Sequence, residues 1–328
     1  MTSAMTTSPD DTSGVTPAEG PTDDEMARAW DDPKLANIIY HDWEASTYDE
    51  KWCISYDDRC INYVTDRFEH VAGPVDAPFG RSLEIGAGTG FFTLNLMLGG
   101  VIEHGTITDL SPRMVEVALR TGEQLDLAVD GVATDAESLP YEDDSFDLVC
   151  GHAVLHHIPD LDLAMREVLR VLKPGGRFVF AGEPTRDGDV VARRLSQATW
   201  AAATRAIRFP GLRDRYGRPH SEIVESEKEA ALEAVVDIHT FDPGELARLC
   251  LRAGAVDVVT ETDELTASWF GWPVRTIEAA VRPGSLGWNW YQFAFRGWTA
   301  LNWVDGHVWS HVVPRRYFYN VSVTGVKP

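Results

Sequence analysis

Leu83-Glu84-Ile85-Gly86-Ala87-Gly88-Thr89-Gly90-Phe91-Phe92-Thr93 decides the fold of this chain, together with Asp109, nineteen residues beyond Gly90. An apolar, strand-like run ends in glycines at alternate positions. Without Cβ atoms such a loop turns sharply and presents bare N–H groups to a ligand at the start of the following helix. An acid about 20 residues on, at the end of the next strand, is where a nucleoside ribose is held by its hydroxyls. A dinucleotide loop, G-x-G-x-x-G, needs glycine at position 91, where Phe91 stands. That shift argues against NAD.

Three further segments extend the pattern. Thr106-Ile107-Thr108-Asp109-Leu110-Ser111-Pro112 reads as a strand ending in acid, then Ser111 as a helix cap with Pro112 at the first helical position. Gly131-Val132-Ala133-Thr134-Asp135-Ala136 is a short strand followed by an acid in a loop. Phe146-Asp147-Leu148-Val149-Cys150 is an apolar strand spilling into His152-Ala153-Val154-Leu155-His156-His157-Ile158-Pro159-Asp160. Apolar residues at 161, 165, 168, 169 and 172 then mark a helix packed on a sheet, stopped by Lys173-Pro174-Gly175-Gly176 before a fifth strand from Arg177 to Pro184. Alternating strands and helices imply a doubly wound parallel sheet with ligands at the carboxyl ends of its strands.

An acid on the strand followed by G-x-G-x-G, with the later motifs in this order, resembles the class I S-adenosylmethionine-dependent methyltransferases, and the His-His-Ile-Pro-Asp turn resembles their type 11 subgroup. The resemblance covers roughly residues 45 to 184, 238 to 265 and 316 to 327. It implies a Rossmann-like, seven-stranded, mostly parallel sheet whose last strand is antiparallel. It also implies S-adenosyl-L-methionine as cofactor, held by Gly86, Ala87, Gly88 and Gly90, with Glu84 supporting the glycine loop. Asp109, with Leu110 beside it, would take the ribose hydroxyls. Asp135 would reach the adenine amino group and the Ala136 backbone the ring, while Tyr48 would fold over the methionine end. His152 would face the acceptor as a general base. On the residues alone, Asp109 also reads as a solvated acid at a capped helix, Asp135 as a turn residue and Tyr48 as aromatic packing.

The resemblance divides the chain. Residues 1–24 are expected to be a disordered acidic tail, 25–70 an N-terminal helical lid and 71–184 the cofactor-binding core. Residues 185–237 form a helical insertion, 238–265 a core helix capped by Asp242 and Pro243 with its strand, 266–315 a Trp-rich insertion, and 316–328 the final strand. Residues 186–218 carry eight arginines against three acids, reading either as an exposed helix paired to acidic neighbours or as a grip on anionic groups or lipid. Seven of eleven tryptophans lie between 266 and 315. They suit an aromatic sub-core, the wall of an apolar acceptor pocket, or a bilayer contact.

The net charge is −22, with twelve acids against two bases in residues 1–50, a field that repels nucleic acid. No basic, apolar leader opens the chain and no run of 18 apolar residues occurs, so a cytoplasmic protein without a transmembrane segment is expected, peripheral membrane contact remaining open. Cys53, Cys60, Cys150 and Cys250 lack metal spacing, and no metal is expected.

Methyl transfer is an in-line displacement at an activated carbon, so the protein mainly aligns the partners and excludes water. The acceptor is expected to be a small or lipid-like molecule, methylated on oxygen with a histidine base. His156 and His157 belong to the turn, and His220, His239, His307 and His311 lie in or near the insertions. Carbon or nitrogen methylation in secondary or quinone-type metabolism is the alternative, as is a non-catalytic binding or membrane-surface module.

Overall fold

The computed structural model describes residues 20–219, 228, 232–233 and 235–328. Residues 1–19 of the expected tail, His220 and part of the Arg-rich insertion lie outside the described residues.

Strands β1 (Phe79–Ile85), β2 (Ile102–Asp109), β3 (Val129–Ala133), β4 (Phe146–His152), β5 (Leu172–Pro184), β6 (Val256–Asp263) and β7 (Asn320–Val326) form one sheet in the order β3-β2-β1-β4-β5-β7-β6. β7 runs antiparallel to both neighbours, and the pairs from β3 to β5 are parallel. This is the doubly wound methyltransferase sheet expected from the sequence. The chain order reverses between β1 and β4, and a crevice opens at such a switch point beyond the strand ends.

β5 differs from expectation by starting at Leu172 instead of Arg177. Leu172 pairs with Phe146, the register then shifts, and pairing resumes at Leu148 and Arg177. Gly175, at φ +79, gives the turn its left-handed step, and Lys327 exchanges backbone hydrogen bonds with Gly175 and Gly176. The Lys-Pro-Gly-Gly stop is therefore taken into the ladder as an irregularity.

Alternation along the strands builds two cores. Leu83, Ile85, Val149, Phe178 and Phe180 face α7 (Leu161–Val171) and α10 (Pro243–Ala253), whose Met165, Val168, Leu246 and Leu249 are buried there. Leu148, Cys150, Val179 and Ala181 face α4 (Asp58–Ala72) and α5 (Phe91–Leu98) through Val64, Phe68, Phe92 and Leu96. Burying one such side chain contributes about 1.5–3 kcal/mol, so these two faces dominate the stability of the sheet. On α6 (Pro112–Gln124) the Ser111 hydroxyl accepts the Met114 N–H, and on α10 Asp242 accepts the Gly244 and Glu245 N–H groups while Gly254 ends the helix at φ +109, each as the sequence predicts.

The remaining helices lie over the carboxyl ends of the strands. α1 (Asp23–Ala29), α2 (Pro33–Glu44) and α3 (Tyr48–Trp52) come from the N-terminus, with Ala45 and Tyr48 packed on Met114 and Val117. α8 (Arg186–Ile207) and α9 (Pro210–Tyr216) come from the first insertion, α11 (Thr266–Ala280) and α12 (Trp288–His307) from the second, and α11 packs between α8 and α12. Among the described residues no helix is long and apolar enough to cross a membrane.

Candidate active site

The glycine loop joins β1 to α5 with three left-handed residues, Gly86 at φ +60, Gly88 at +52 and Gly90 at +88. They differ in what surrounds them. A Cβ on Gly86 would lie 2.0 Å from Val154 and one on Gly90 2.9 Å from Leu94, so both are closed in by protein. A Cβ on Gly88 would meet only Tyr48, at 3.9 Å, because that position faces a cavity.

Two buried acids flank the loop. The Asp109 carboxylate accepts the Gly88 N–H at 2.9 Å and the Ser111 N–H at 2.8 Å. Burial raises its pKa, while the nearby His41 and these hydrogen bonds pull it down. Glu84 accepts the Thr93 N–H in the first turn of α5 at 2.9 Å, so it anchors the helix that follows the loop. Burial pushes its carboxyl up to about 8, against hydrogen bonding from Thr93 and reinforced by the Asp109 charge.

Glu84, Gly86, Ala87, Gly88, Asp109, Leu110, Asp135, Ala136, Tyr48 and His152 all line one cavity of about 710 Å³; Gly90 does not, acting instead as the cap of α5. Asp135 is engaged by Lys34 of α2, whose ammonium lies 2.6 Å from it and 2.5 Å from Glu137. Asp42 of the same helix accepts the Ser111 hydroxyl at 2.5 Å and the Arg113 N–H at 3.2 Å. α2 thus clamps the loops after β2 and β3. Sequence reading left Lys34 and Asp42 unassigned because their partners lie 101 and 69 residues away.

From the glycine loop the same cavity runs under the second insertion, where Phe270, Trp272 and Trp298 form its wall and Tyr291 and Phe295 its rim. Trp272 stacks edge-on to Tyr319 at 5.3 Å, and Trp298 lies 5.9 Å from Tyr63. Two of the seven tryptophans therefore wall the cavity, whereas Trp269, Trp288, Trp303 and Trp309 are exposed. His152 sits between Tyr63, Phe91 and Phe92, and its Nε2 is buried without a hydrogen-bond partner. Burial and the Arg67 charge bring its pKa down to about 4, against a smaller pull from Glu183.

The opposite wall is polar. Glu183 accepts backbone N–H groups from Val154, Leu155 and His156 and lies 2.8 Å from His156 Nδ1. Asp237 approaches His156 Nε2 at 3.8 Å and His157 Nδ1 at 3.6 Å, bringing together three side chains able to ligate a metal. Spacing could not reveal that group, since Asp237 arrives from the first insertion. Its contacts, including His157 Nδ1 on the Val236 carbonyl at 2.9 Å, lock the turn to the insertion. His239 Nε2 meets the Ile158 carbonyl at 3.0 Å; His307 and His311 are exposed and do not line the cavity.

A doubly wound sheet with a glycine-lined, acid-flanked cavity at its switch point defines a nucleoside-binding class of protein. A family model described as a methyltransferase domain, type 11, matches residues 83–180. The chain carries a class I S-adenosylmethionine-dependent methyltransferase domain. Curated relatives include the ubiquinone/menaquinone biosynthesis C-methyltransferase UbiE of Bartonella henselae, 37% identical over 102 residues, which are 30% of this chain and 39% of that protein. UbiE of Rhodopseudomonas palustris is 38% identical over 107 residues, 32% of this chain and 42% of that one. The chain thus spans about two fifths of the length of the curated relatives it matches. Among solved structures, phosphoethanolamine N-methyltransferase 2 of Haemonchus contortus, with S-adenosylhomocysteine, superposes with a TM-score of 0.53 at 17% identity, covering 90% of this chain and 59% of that one. At that identity the likeness is one of fold.

Proposed function

We propose that this protein transfers a methyl group from S-adenosyl-L-methionine to the carbon of an electron-rich, largely apolar small molecule. The observation that carries this reading is the continuity of one cavity, from the Gly88 and Asp109 end to the aromatic wall of Phe270, Trp272 and Trp298. A nucleoside and an apolar acceptor fit such a space end to end.

The residues fit the cofactor. Gly88 leaves open the backbone approach, Asp109 offers carboxylate oxygens, Leu110 and Ala136 flank the adenine side, and Tyr48 lies over the loop. Asp135 would take the adenine amino group once Lys34 shares or releases it. Glu84, its carboxyl raised by burial to about 8, is protonated near neutral pH, so it supports the site through its hydrogen bond from the Thr93 N–H and not through charge. When bound, the cofactor supplies a methyl group already activated by a sulfonium. What the chain contributes is alignment, through the glycine loop and α3 on one side and the aromatic wall on the other, and exclusion of water.

Oxygen methylation, the expectation from the sequence, rests on a histidine able to take a proton. His152, with its pKa near 4, is a poor base for an alcohol, so it serves better as a neutral hydrogen-bonding group beside an acceptor that is already nucleophilic. The C-methyltransferase activity in the relatives' names supports carbon as the receiving atom, over the third of the chain that they match. The four cysteines, all free, suit a cytoplasmic site of action. The test is incubation with methyl-labelled cofactor and fractionated cell extract. Label on carbon of an apolar metabolite supports the reading; label on oxygen or on a polar acceptor, or none, refutes it.

A further inference from the structure

We propose that α9 and the N-terminal half of α12 form a docking face for an anionic lipid bilayer, at the rim through which the acceptor enters. The acceptor's route rests on the catalytic reading above; the docking face does not.

The face begins with charge of the wrong sign for this protein. In a chain of net charge −22, residues 205–218 carry Arg205, Arg208, Arg213, Arg215 and Arg218 against Asp214 alone. Arg208, Arg213 and Arg215 are exposed and make no ion pair with any described residue, Arg215 lying over the Tyr216 ring at 5.3 Å, so no described acid neutralises their charge. Interleaved with them are Phe209, 65% exposed, and Leu212, 41% exposed. Arg282 donates its backbone N–H to the Tyr216 carbonyl and its side chain to the Gly217 carbonyl, which fastens the end of α9 to the turn before α12. Trp288 opens α12 beside that turn and is 73% exposed.

One and two turns further along α12, Tyr291 and Phe295 are part-exposed and line the cavity. Large apolar side chains standing in water beside unpaired arginines match a headgroup layer, where rings and aliphatic stems enter the acyl boundary and guanidinium groups meet phosphate. The overall negative charge repels such a surface at long range, leaving this face as the orientation that can land. A molecule dissolved in the bilayer would then meet the aromatic rim without crossing water.

The test is co-sedimentation of the full chain with vesicles of phosphatidylcholine alone and of phosphatidylcholine mixed with phosphatidylglycerol. Binding is expected to the anionic vesicles only and to fall with salt. The triple variant Arg208→Gln, Arg213→Gln, Arg215→Gln should bind at least about tenfold more weakly, as should Trp288→Ser, while Arg252→Gln on α10 binds like the parent. Melting temperature and S-adenosylhomocysteine affinity, unchanged in all variants, separate a lost contact from a lost fold. No preference for anionic vesicles, an equal loss in Arg252→Gln, or a parent dimer broken by Trp288→Ser overturns the proposal. Vesicle binding without nucleoside binding would sink the catalytic reading and leave the docking face standing.

Discussion

Asp109 and Gly88 are joined across the cavity floor by a 2.9 Å hydrogen bond from the Gly88 N–H to the carboxylate, whose other oxygen takes the Ser111 N–H at 2.8 Å. One side chain thereby sets both the glycine loop and the start of α6, and its position follows from Thr108 and Ile107 pairing in register with β1.

Asp109→Ala removes the acceptor proposed for the ribose hydroxyls. Losing charge-assisted hydrogen bonds should weaken binding of the nucleoside by about 2–4 kcal/mol. Asp109→Asn keeps one oxygen for a backbone N–H and should fall between. Calorimetric titration with S-adenosylhomocysteine measures both, and an unchanged affinity in Asp109→Ala removes the residue from the site.

Gly86 and Gly88 predict opposite failures. Gly86→Ala drives a methyl into Val154, on top of about 1–2 kcal/mol for a left-handed alanine, so the melting temperature should drop sharply. Gly88→Val carries a similar backbone cost but places its side chain in the cavity, so binding should be lost from a protein that still melts cooperatively. Thermal unfolding with and without ligand separates the two.

Glu84 gives a pH signature. Its carboxyl, raised to about 8 in the fold from an ordinary 4.5, stays protonated in the native state over a range where the unfolded chain has lost the proton. Native protein therefore binds more protons, and stability falls as pH rises from about 4.5 through 8. Glu84→Gln cannot ionise and should lack this contribution. Melting curves of the cofactor-free protein at pH 6 and pH 9 should show a fall in the parent that is smaller in the variant; parallel falls would mean that Glu84 ionises normally.

Much of this was legible in the residues because it is local. The glycine spacing, Asp109 and the Ser111 and Asp242 caps each depend on a few consecutive positions, whereas the seven-stranded sheet with its antiparallel β7 follows from the family resemblance. Glu84, expected to hydrogen-bond the glycine loop, instead accepts the Thr93 N–H in the first turn of α5. What the residues could not tell was long-range. Lys34 on Asp135, Asp237 beside the two histidines, and Trp298 against Tyr63 join segments separated by much of the chain, and a tryptophan-rich stretch reads alike whether its rings face a cavity or water. The structure divides them, with Trp272 and Trp298 inward and Trp288 and Trp303 outward.

His152 carries the acceptor-side prediction. Because burial and Arg67 hold its pKa near 4, the imidazole is neutral across the physiological range and no inflection near 6.5 should mark kcat/KM. His152→Phe, which suits the ring cage but lacks a polar atom, should lower kcat by about tenfold or more with nucleoside affinity retained, and His152→Gln should recover part of the loss. A rate dependence centred near 6.5, abolished in both variants, would restore the histidine as a general base.

Arg67 ties α4 to the end of β6, and its removal tests that junction. Its guanidinium lies 2.5 Å from Asp263 and also hydrogen-bonds Glu264, with Tyr63 beneath it and almost no solvent access. Arg67→Met fills similar space but leaves the buried Glu264 without its cation and the half-buried Asp263 with His70 alone, so a loss of about 3–5 kcal/mol is expected. The pH dependence gives a further check. In the parent, burial pushes the Asp263 carboxyl up, but Arg67 and His70 more than offset it and hold the group below its usual range. That contribution is present above pH 4 and lost on acidification. Without Arg67 the offset weakens, the carboxyl rises, and the variant should recover stability relative to the parent as pH falls from 7 to 5. Denaturant titration at both values measures the gap; if it does not narrow, the loss comes from packing and not from stranded charge. Adding Glu264→Gln to Arg67→Met should restore part of the stability at pH 7, since it removes the buried acid that has lost its cation.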